Sequence, residues 1–433
     1  MKKISRSTQF LVILMPSLWL GSISLGLVNG IIGSAQAFLA INVEVSRQTI
    51  NFIWASGAVG SFFAAIFTAF IFKRFLEETR LKLCFLSLNV FISGSCIASL
   101  PWLNSFSLLL VIYFCAAFTI MSFNTAQHSL IVFILGPIKS RPFLQFVDAF
   151  MASGFVLGSL LIMPFLPDSA PQSCSKLPSI DNSEDASLSW PFLIVGISHA
   201  FAALTMLFHM CSGLTMPVYH QDMEVVVDSQ EVKLHQHPRM VMLLAFLFYV
   251  FSCGVEALFQ SQCYTVGICG PLKMIPMVAS ELQTSYFLCF MIGRFSGVII
   301  SKYVHPSLII MVSIACCLSG IILILCVGNW SVTGLFAGVG IAGFFLSFQF
   351  ASGFSWLAEN VDMTGGNSSI VFLGAAVGFL VSPPLAGKLA ESGGGVMSVF
   401  YLMLGYAAVQ ALVFSALLWM VARKEVQGEI IDS

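Results

Sequence analysis

The chain has 433 residues, of which 58% are hydrophobic and 9% are charged, with a formal net charge of −1 and a mean hydropathy of +0.94. A soluble domain has about 25% charged residues, and apolar runs long enough to cross a bilayer recur along this chain. The composition therefore predicts an all-α, multi-pass protein of the lipid bilayer and argues against a nucleic-acid partner. No zinc-ligand spacing, dinucleotide fingerprint or P-loop occurs, so we expect neither an enzyme nor a bound cofactor.

Hydropathy averaged over a window of about 20 residues predicts twelve membrane-spanning helices. They cover residues 10–38, 50–72, 82–101, 105–134, 142–166, 190–211, 240–263, 279–303, 306–327, 332–357, 367–388 and 396–421. Polar stretches at 167–189 and 212–239 interrupt them most clearly, and the second divides the chain. We expect an N-terminal six-helix bundle (1–211), a cytoplasmic central loop (212–239) and a C-terminal six-helix bundle with a short cytoplasmic tail (240–433).

The loops differ in their content of lysine and arginine. With the N-terminus inside, only Arg47, Lys176, Lys273 and Lys388 fall on the outer side, and all other basic residues fall on the inner side. Loops rich in lysine and arginine stay in the cytoplasm. The sequence therefore predicts that both termini are cytoplasmic. The plasma membrane is the default location, and we expect a monomer.

Glycine and proline recur at matching places in helices five and eleven. The runs SGFVLGSLLIMP and LGAAVGFLVSPP align at a constant offset of 220 residues. The matched residues are Gly154, Gly158 and Pro164 against Gly374, Gly378 and Pro384. Small residues four apart let two helices approach closely. We interpret the repeat as helix packing in two duplicated halves, which is a common architecture of secondary transporters.

Helix seven carries a polar stripe with a carboxylate in its middle. Tyr249, Ser252, Glu256, Gln260 and Cys263 fall on one face of this otherwise apolar helix. An ionised glutamate facing lipid costs about 2.5 kcal/mol or more. Glu256 should therefore face the bundle interior or a wet cavity, or else carry a proton. We interpret it as a coupling group.

Amide, hydroxyl and aromatic side chains on several helices suggest a polar central cavity. Such groups suit a neutral, polyhydroxylated solute, because amides both donate and accept hydrogen bonds and aromatic rings stack on sugar CH faces. The residues predicted to bind the solute are Asn29, Gln36, Asn124, Gln127, Tyr249, Gln260, Gln349 and Trp356. For Asn124 and Gln349, hydrogen bonding between helices is an equally good interpretation.

Four runs resemble a known family. They are PFLQFVDAFMASGFVLGSLLIMP, GVEALFQSQCYTVG, TSYFLCFMIGR and LSFQFASGFSWLAENVDMTG. With the twelve predicted helices in two related halves, the chain resembles the major facilitator superfamily, and the runs are similar to its sodium-dependent glucose transporter branch, grouped with major facilitator domain-containing family four.

The resemblance implies a fold and a set of roles. The fold would be two pseudo-symmetric six-helix bundles, and the activity would be alternating-access transport of a hexose with sodium. Glu256 would be the branch's helix-seven acid. Apart from the resemblance, Asp148 on helix five is our next candidate for a coupling residue. Asn124, Gln349 and Trp356 would lie in cavity-lining helices. Arg294 and Glu359 would take part in gating.

The chain also departs from the family pattern. The superfamily's Gly-x-x-x-Asp-Arg-x-Gly-Arg run after helix two corresponds here to FIFKRFLEETR, which lacks its glycines and aspartate. Gln260 and Ser261 stand where glycines are expected, and Asp148 where the branch more often has histidine. Sodium and proton coupling therefore both remain open. A carrier of another solute, such as a carboxylate or nucleoside, and a non-transporting sensor of the same fold are the alternatives.

Overall fold

A computed structural model describes residues 6–46, 49–74, 79–139, 141–166, 182–211, 238–361, 365–390 and 394–431. Twelve long helices run through this part of the chain. They are α1 (Arg6–Asn42), α2 (Phe52–Arg74), α3 (Thr79–Ser99), α4 (Phe106–Lys139), α5 (Arg141–Ile162), α6 (Asn182–Cys211), α7 (Pro238–Cys269), α8 (Pro276–Ile300), α9 (Pro306–Val327), α10 (Val332–Asn360), α11 (Gly365–Leu389) and α12 (Ser398–Ile431).

All twelve helices are long and apolar enough to span a bilayer, which confirms the predicted multi-pass membrane protein. A helix satisfies its backbone hydrogen bonds internally, as hydrocarbon requires. Several helices begin where the sequence supplies a start signal: Pro306 opens α9, and the Ser331 side chain accepts from Gly334 N at the start of α10. Helix α6 begins at Asn182, inside the polar stretch 167–189, and its candidate membrane span Leu188–Met210 agrees with the predicted span 190–211. Most of the predicted central loop, residues 212–237, lies outside the described residues.

The bundle has two sides, because an even number of spans returns the chain to the side where it began. We call the side where α1 begins and α12 ends the terminal side. The opposite side, where α1 ends and α7 ends, is the distal side. These names are independent of which side faces the cytoplasm.

The helices form two halves, α1–α6 and α7–α12, that meet along a few helix pairs. Between the halves, α2 packs against α11 and α5 packs against α8, and α1 contacts both α7 and α8. Helix α4 packs mainly on α2 and α3, and α10 packs mainly on α8 and α9. The interface between the halves is therefore built from α1, α2 and α5 on one side and α7, α8 and α11 on the other.

Within each half, glycines bring two helices into backbone contact. A Cβ on Gly154 in α5 would overlap the backbone of Gly26 in α1, and one turn further a Cβ on Gly158 would reach the Gly30 backbone at 3.0 Å. In the second half a Cβ on Gly378 of α11 would lie 2.5 Å from the Val250 carbonyl oxygen and 2.8 Å from the Gly254 nitrogen of α7. This confirms the interpretation of the glycine repeat as helix packing. In a six-helix repeat α7 is equivalent to α1 and α11 to α5, so the α1–α5 and α7–α11 contacts are equivalent.

Candidate functional site

Buried hydrogen bonds join the two halves on the distal side. Ser34 Oγ in α1 donates to Gln283 Oε1 in α8 (3.0 Å), and Gln262 Nε2 in α7 donates to Asn51 Oδ1 just before α2 (2.9 Å). Gly33 makes this approach possible, because a Cβ there would overlap Gln283 Nε2. We call the residues that bond across the halves here the distal belt: Ser34, Gln36, Asn51, Ser159, Ser261, Gln262, Ser280, Gln283 and Thr284.

Gln36, predicted to bind a solute, is a member of the distal belt. In the amide orientation that satisfies both ends, its Nε2 donates to the Ser261 backbone oxygen of α7 (3.1 Å) and its Oε1 accepts from Trp54 Nε1 of α2. A second bond, from Thr284 Oγ1 to Ser159 Oγ (3.0 Å), ties α8 to α5. These groups are buried, so the halves are closed against each other on the distal side.

Ionisable groups from both halves meet nearer the terminal side. Asp148 of α5 has Oδ1 3.5 Å from His128 Nε2 of α4 and Oδ2 3.9 Å from Arg294 Nη1 of α8. Glu256 of α7 interacts electrostatically with both Arg294 and Asp148. We call His128, Asp148, Glu256 and Arg294 the charged cluster. Charges inside a membrane protein are expensive unless they are paired or solvated, which makes such a cluster a functional candidate.

Glu256 is held by its own helix. Gln260 Nε2, one turn further along α7, donates to Glu256 Oε1 (3.0 Å). Arg294 stacks its guanidinium over the Phe290 ring, 5.1 Å from the ring centroid, which holds the cation in place. The guanidinium therefore interacts with one carboxylate from each half. Any relative movement of the halves must change that balance.

A cleft on the terminal side reaches the charged cluster. One wall is α5, with Gln145 and Asp148. The other wall comes from α8, α9 and α10, with Gly293, Arg294, Gly297, Val298, Ser301, Pro306, Ile309, Ser347, Phe348, Ala351, Ser352 and Ser355. At this level the cleft lies between the two halves beside the Asp148–Arg294 contact, whereas the distal belt closes them on the opposite side.

Aromatic rings also cross between the halves beside the cluster. Trp19 of α1 stacks on Phe150 of α5 with centroids 5.0 Å apart, and Phe150 packs edge-on against Phe295 of α8 at 6.4 Å. Trp19 Nε1 is buried and has no hydrogen-bond partner among the described residues. An unpaired buried donor is costly. In this conformation the Trp19 indole thus stacks on Phe150 and keeps one donor unused.

Two further residues predicted to bind solute instead form hydrogen bonds within their own half. Gln127 of α4 is fully buried, and its Nε2 donates to the Leu18 backbone oxygen (3.2 Å) and contacts Ser22 Oγ at 3.0 Å. Tyr249 is equally buried and donates its hydroxyl to the Phe350 backbone oxygen (3.2 Å). Both side chains therefore tie helices together.

The predicted residues of α10 are also buried in the second half. Gln349 Oε1 accepts from Ser252 Oγ (3.0 Å) and from Gln410 Nε2 (2.8 Å), which joins α10 to α7 and α12. Trp356 packs edge-on against Phe414 of α12 at 5.5 Å. For Gln349 the geometry is that of the alternative interpretation, hydrogen bonding between helices.

The remaining predicted residues have more exposed positions. Asn29 and Asn124 are half-buried. Glu359, predicted to gate together with Arg294, lies at the exposed end of α10 and pairs with His305 Nε2 at 3.5 Å. Arg294 is paired instead with Asp148. The structure thus brings Glu256 and Asp148, the residues predicted to couple transport, together through Arg294 and leaves Glu359 outside that group.

Sequence reasoning missed most of the distal belt and the part played by His128. A signal for the belt was present, because Ser280, Gln283 and Thr284 are spaced for one face of α8. His128 was visible beside Asn124 on α4. Its contact with Asp148 depends on how α4 and α5 are placed, which the helical period does not specify.

Comparisons with known proteins agree with this architecture. No model of a known protein family matches the chain. Sodium-dependent glucose transporter 1 of Xenopus laevis is 22% identical over 409 residues, covering 92% of this chain and 80% of that protein. Major facilitator superfamily domain-containing protein 4A of Xenopus tropicalis is 22% identical over 440 residues, covering 87% of this chain and 86% of that protein. The chain thus resembles both proteins along most of its length.

Solved structures of similar shape are transporters of the major facilitator superfamily. FucP in its outward conformation matches with a TM-score of 0.63 at 16% identity, covering 94% of this chain and 99% of FucP. A bacterial homologue of the human lysosomal transporter Spinster, inward-facing and unoccupied, matches with a TM-score of 0.66 at 13% identity, covering 97% and 98%. The chain has the major facilitator fold, as the sequence predicted.

Proposed function

We propose that this chain, which has the major facilitator fold and resembles sodium-dependent glucose transporters, is a secondary active transporter of a hexose such as glucose. Transport would proceed by alternating access, with sodium or a proton as the co-transported ion and Glu256 as the coupling carboxylate. The protein would act as a monomer in the plasma membrane, with both termini in the cytoplasm and without catalytic activity.

The observation that carries the proposal is the asymmetry of the interface between the halves. The distal belt closes one side with buried hydrogen bonds, and the terminal side has a cleft that reaches the charged cluster. A two-half bundle closed on one side and open on the other is one state of an alternating-access cycle. With the terminal side in the cytoplasm, this state faces inward.

Coupling requires a group that interacts differently with the two states. A ligand can shift a conformational equilibrium only through such a difference. Glu256 of the second half shares Arg294 with Asp148 of the first half, so its electrostatic surroundings change whenever the halves move. Trp19 with its unpaired indole nitrogen, together with half-buried Asn124, supplies groups suited to a neutral sugar.

Counterflow in proteoliposomes tests the proposal. Purified protein is reconstituted, the vesicles are loaded with unlabelled glucose, and transient uptake of labelled glucose is followed with sodium on both sides, on neither side or as a gradient. Fructose, a nucleoside and a carboxylate serve as parallel substrates. Counterflow of glucose supports the hexose proposal. Counterflow of a nucleoside or carboxylate alone would indicate a carrier of another solute, and counterflow of none of them would favour a sensor.

A further inference from the structure

The hydrogen bonds of His128 specify where its ring protons lie. Nδ1 is 2.8 Å from the Asn124 backbone oxygen, and a carbonyl oxygen only accepts hydrogen bonds, so Nδ1 carries a proton. In the neutral ring Nε2 then has only a lone pair. That lone pair would face Asp148 Oδ1, another acceptor, at 3.5 Å. The contact is attractive only when one further proton is bound, either on Nε2 or on the carboxylate.

We propose that the His128–Asp148 pair is a proton-binding site, and that its occupancy controls the ion pair between Asp148 and Arg294 across the two halves. The proposal rests on the proposed function, because it names the co-transported ion and the device that couples it to movement of the halves. It places the proton next to Glu256 but not on it.

The two oxygens of Asp148 give the site its link to conformation. Oδ1 faces His128 within the first half, and Oδ2 faces Arg294 of the second half at 3.9 Å. Without the additional proton the carboxylate presents its full charge to Arg294, which draws α5 and α8 together. With the proton bound, the His128–Asp148 pair is neutral overall and its attraction for Arg294 falls. Loss of the proton therefore favours closure on the terminal side.

The net charge of the charged cluster also supports a bound proton. The cluster contains two carboxylates, Asp148 and Glu256, but one guanidinium, Arg294. An unbalanced negative charge inside a membrane protein is costly, and one bound proton removes it. The proton comes from water in the terminal-side cleft, which is lined by Asp148, and returns to water when the pair releases it.

Among the side chains that the structure describes, no other ionisable group competes for this role. Arg294 from α8 and Glu256 from α7 are the charged neighbours of Asp148. Helices α1 and α2 have no charged side chain in their spans Leu14–Asn42 and Thr49–Thr68, and Arg80 and Lys82 lie in the first turn of α3.

The histidines of α6 have other contacts, since His199 Nδ1 is bonded to the Val195 oxygen and His209 Nε2 lies 2.7 Å from Ser17 Oγ.

The geometry favours a proton over sodium at this place. Sodium is a hard cation that prefers several oxygen ligands, whereas His128 presents an imidazole nitrogen. Arg294, at 3.9 Å from the other carboxylate oxygen, would also repel a metal cation. A proton needs only the two facing acceptors.

A distance measurement that needs no solute tests the proposal. Spin labels are placed on the exposed native Cys84 of α3 and on Ala358→Cys at the exposed end of α10, with the other reactive cysteines replaced. Distances between the labels are recorded on the reconstituted protein at about pH 5 and about pH 8. The series is run in sodium buffer and in sodium-free potassium buffer.

The wild type should show a longer distance at low pH than at high pH, with the same midpoint in both buffers. Asp148→Asn, which imitates the neutral acid, should give the long distance at both pH values. His128→Gln, which donates to the carboxylate without titrating, should give the short one at both. Asp148→Glu should retain the pH dependence, and so should the control His305→Gln, which removes the exposed His305–Glu359 pair.

A wild-type distance that does not change with pH would overturn the proposal, as would an unchanged pH response in His128→Gln or a response seen only with sodium. The measurement needs no sugar. A failure of glucose counterflow would therefore count against the proposed substrate and leave this test standing.

Discussion

Nε2 of Gln36 in α1 donates a hydrogen bond of 3.1 Å to the backbone oxygen of Ser261 in α7. The neighbouring residue Gln262 bonds to Asn51, so one turn of α7 is held by two amides of the opposite half. All of these groups are buried. They can reach water only if the halves separate on the distal side, and the distal belt therefore contributes to the free-energy difference between the closed and open forms of that side.

Gln36→Leu should shift the protein toward the form that is open on the distal side. In the closed form the substitution leaves Trp54 Nε1 buried without a partner, at a cost of about 1–3 kcal/mol, and the Ser261 oxygen keeps only its bond within α7. In the open form Trp54 Nε1 meets water. Since about 1.4 kcal/mol corresponds to a tenfold change in a population ratio, we expect a rise of about tenfold in the open fraction. Distances between spin labels at Asn104 and Pro271, in distal loops of the two halves, would report it.

Gln127→Leu is the matched control for this experiment. It removes an equally buried amide, but both partners, Ser22 and the Leu18 oxygen, belong to the same half. It should lower thermal stability without changing the Asn104–Pro271 distance. If Gln127→Leu changed that distance and Gln36→Leu did not, the distal belt would not be the closing device.

Gly154→Ala should destabilise the protein by about 1–3 kcal/mol, because the new methyl group would overlap the backbone of α1. Gly374→Ala should behave alike, since its Cβ would lie 2.6 Å from the Phe246 oxygen. Gly405→Ala is the control. Nothing lies within 4 Å of a Cβ there, and alanine favours a helix over glycine by about 1 kcal/mol.

Thermal unfolding of the purified variants in detergent measures these effects. Because Gly154 and Gly374 lie in the contacts between helices α1–α5 and α7–α11, we expect a lower unfolding temperature for Gly154→Ala and Gly374→Ala. We expect an equal or higher unfolding temperature for Gly405→Ala. Equal stability of all three variants would mean that the glycines are not required for close packing.

Cysteines introduced in place of Trp330 and Tyr303 should differ in their labelling by a thiol reagent on intact cells. Trp330 in the distal α9–α10 turn is 84% exposed, and Tyr303 in the terminal-side α8–α9 turn is 83% exposed, so accessibility to solvent is matched. The distribution of basic residues predicts the terminal side in the cytoplasm. An impermeant thiol reagent should therefore label Trp330→Cys and not Tyr303→Cys. Cys269, disulfide-bonded at the distal end of α7, agrees with a distal side in an oxidising compartment. The opposite labelling pattern would reverse the orientation.

The twelve helices and their glycine contacts were readable from the sequence because both depend on local properties. Hydropathy over one helix length decides whether that helix can cross a bilayer, and Gly154 and Gly158 can only serve close packing or flexibility wherever they lie. The carboxylate Glu256 stood out for the same reason, since its cost inside a bilayer does not depend on its neighbours.

Which group each polar side chain bonds to could not be predicted from the helical period. Gln36 and Asn29 share a face of α1, yet Gln36 closes the interface between the halves while Asn29 is only half-buried. Gln127 and Asn124 differ in the same way on α4. Which amide meets a partner helix depends on the relative position of the two halves, and that position changes during a transport cycle.

Glu256→Gln should abolish gradient-driven accumulation and leave solute exchange at least partly intact. The amide oxygen can still accept from Gln260 Nε2, so the local structure of α7 is preserved, but the charge that interacts with Arg294 is lost. Without that charge the ion-bound and ion-free states differ less in free energy, and a group indifferent to occupancy cannot couple a gradient to the solute. Uptake of labelled glucose into proteoliposomes is measured with an imposed sodium or proton gradient and, separately, with glucose on both sides.

Glu281→Gln, which removes an exposed carboxylate from the first turns of α8, is the control and should accumulate glucose like the wild type. Loss of both accumulation and exchange in Glu256→Gln, with normal folding, would indicate that Glu256 binds the solute directly. Wild-type accumulation with unchanged dependence on sodium and pH would show that the carboxylate is structural. Asp148, the other carboxylate beside Arg294, would then be the coupling residue. Its contact with His128 gives Asp148 a titratable partner, whereas the described hydrogen bond of Glu256 is to Gln260.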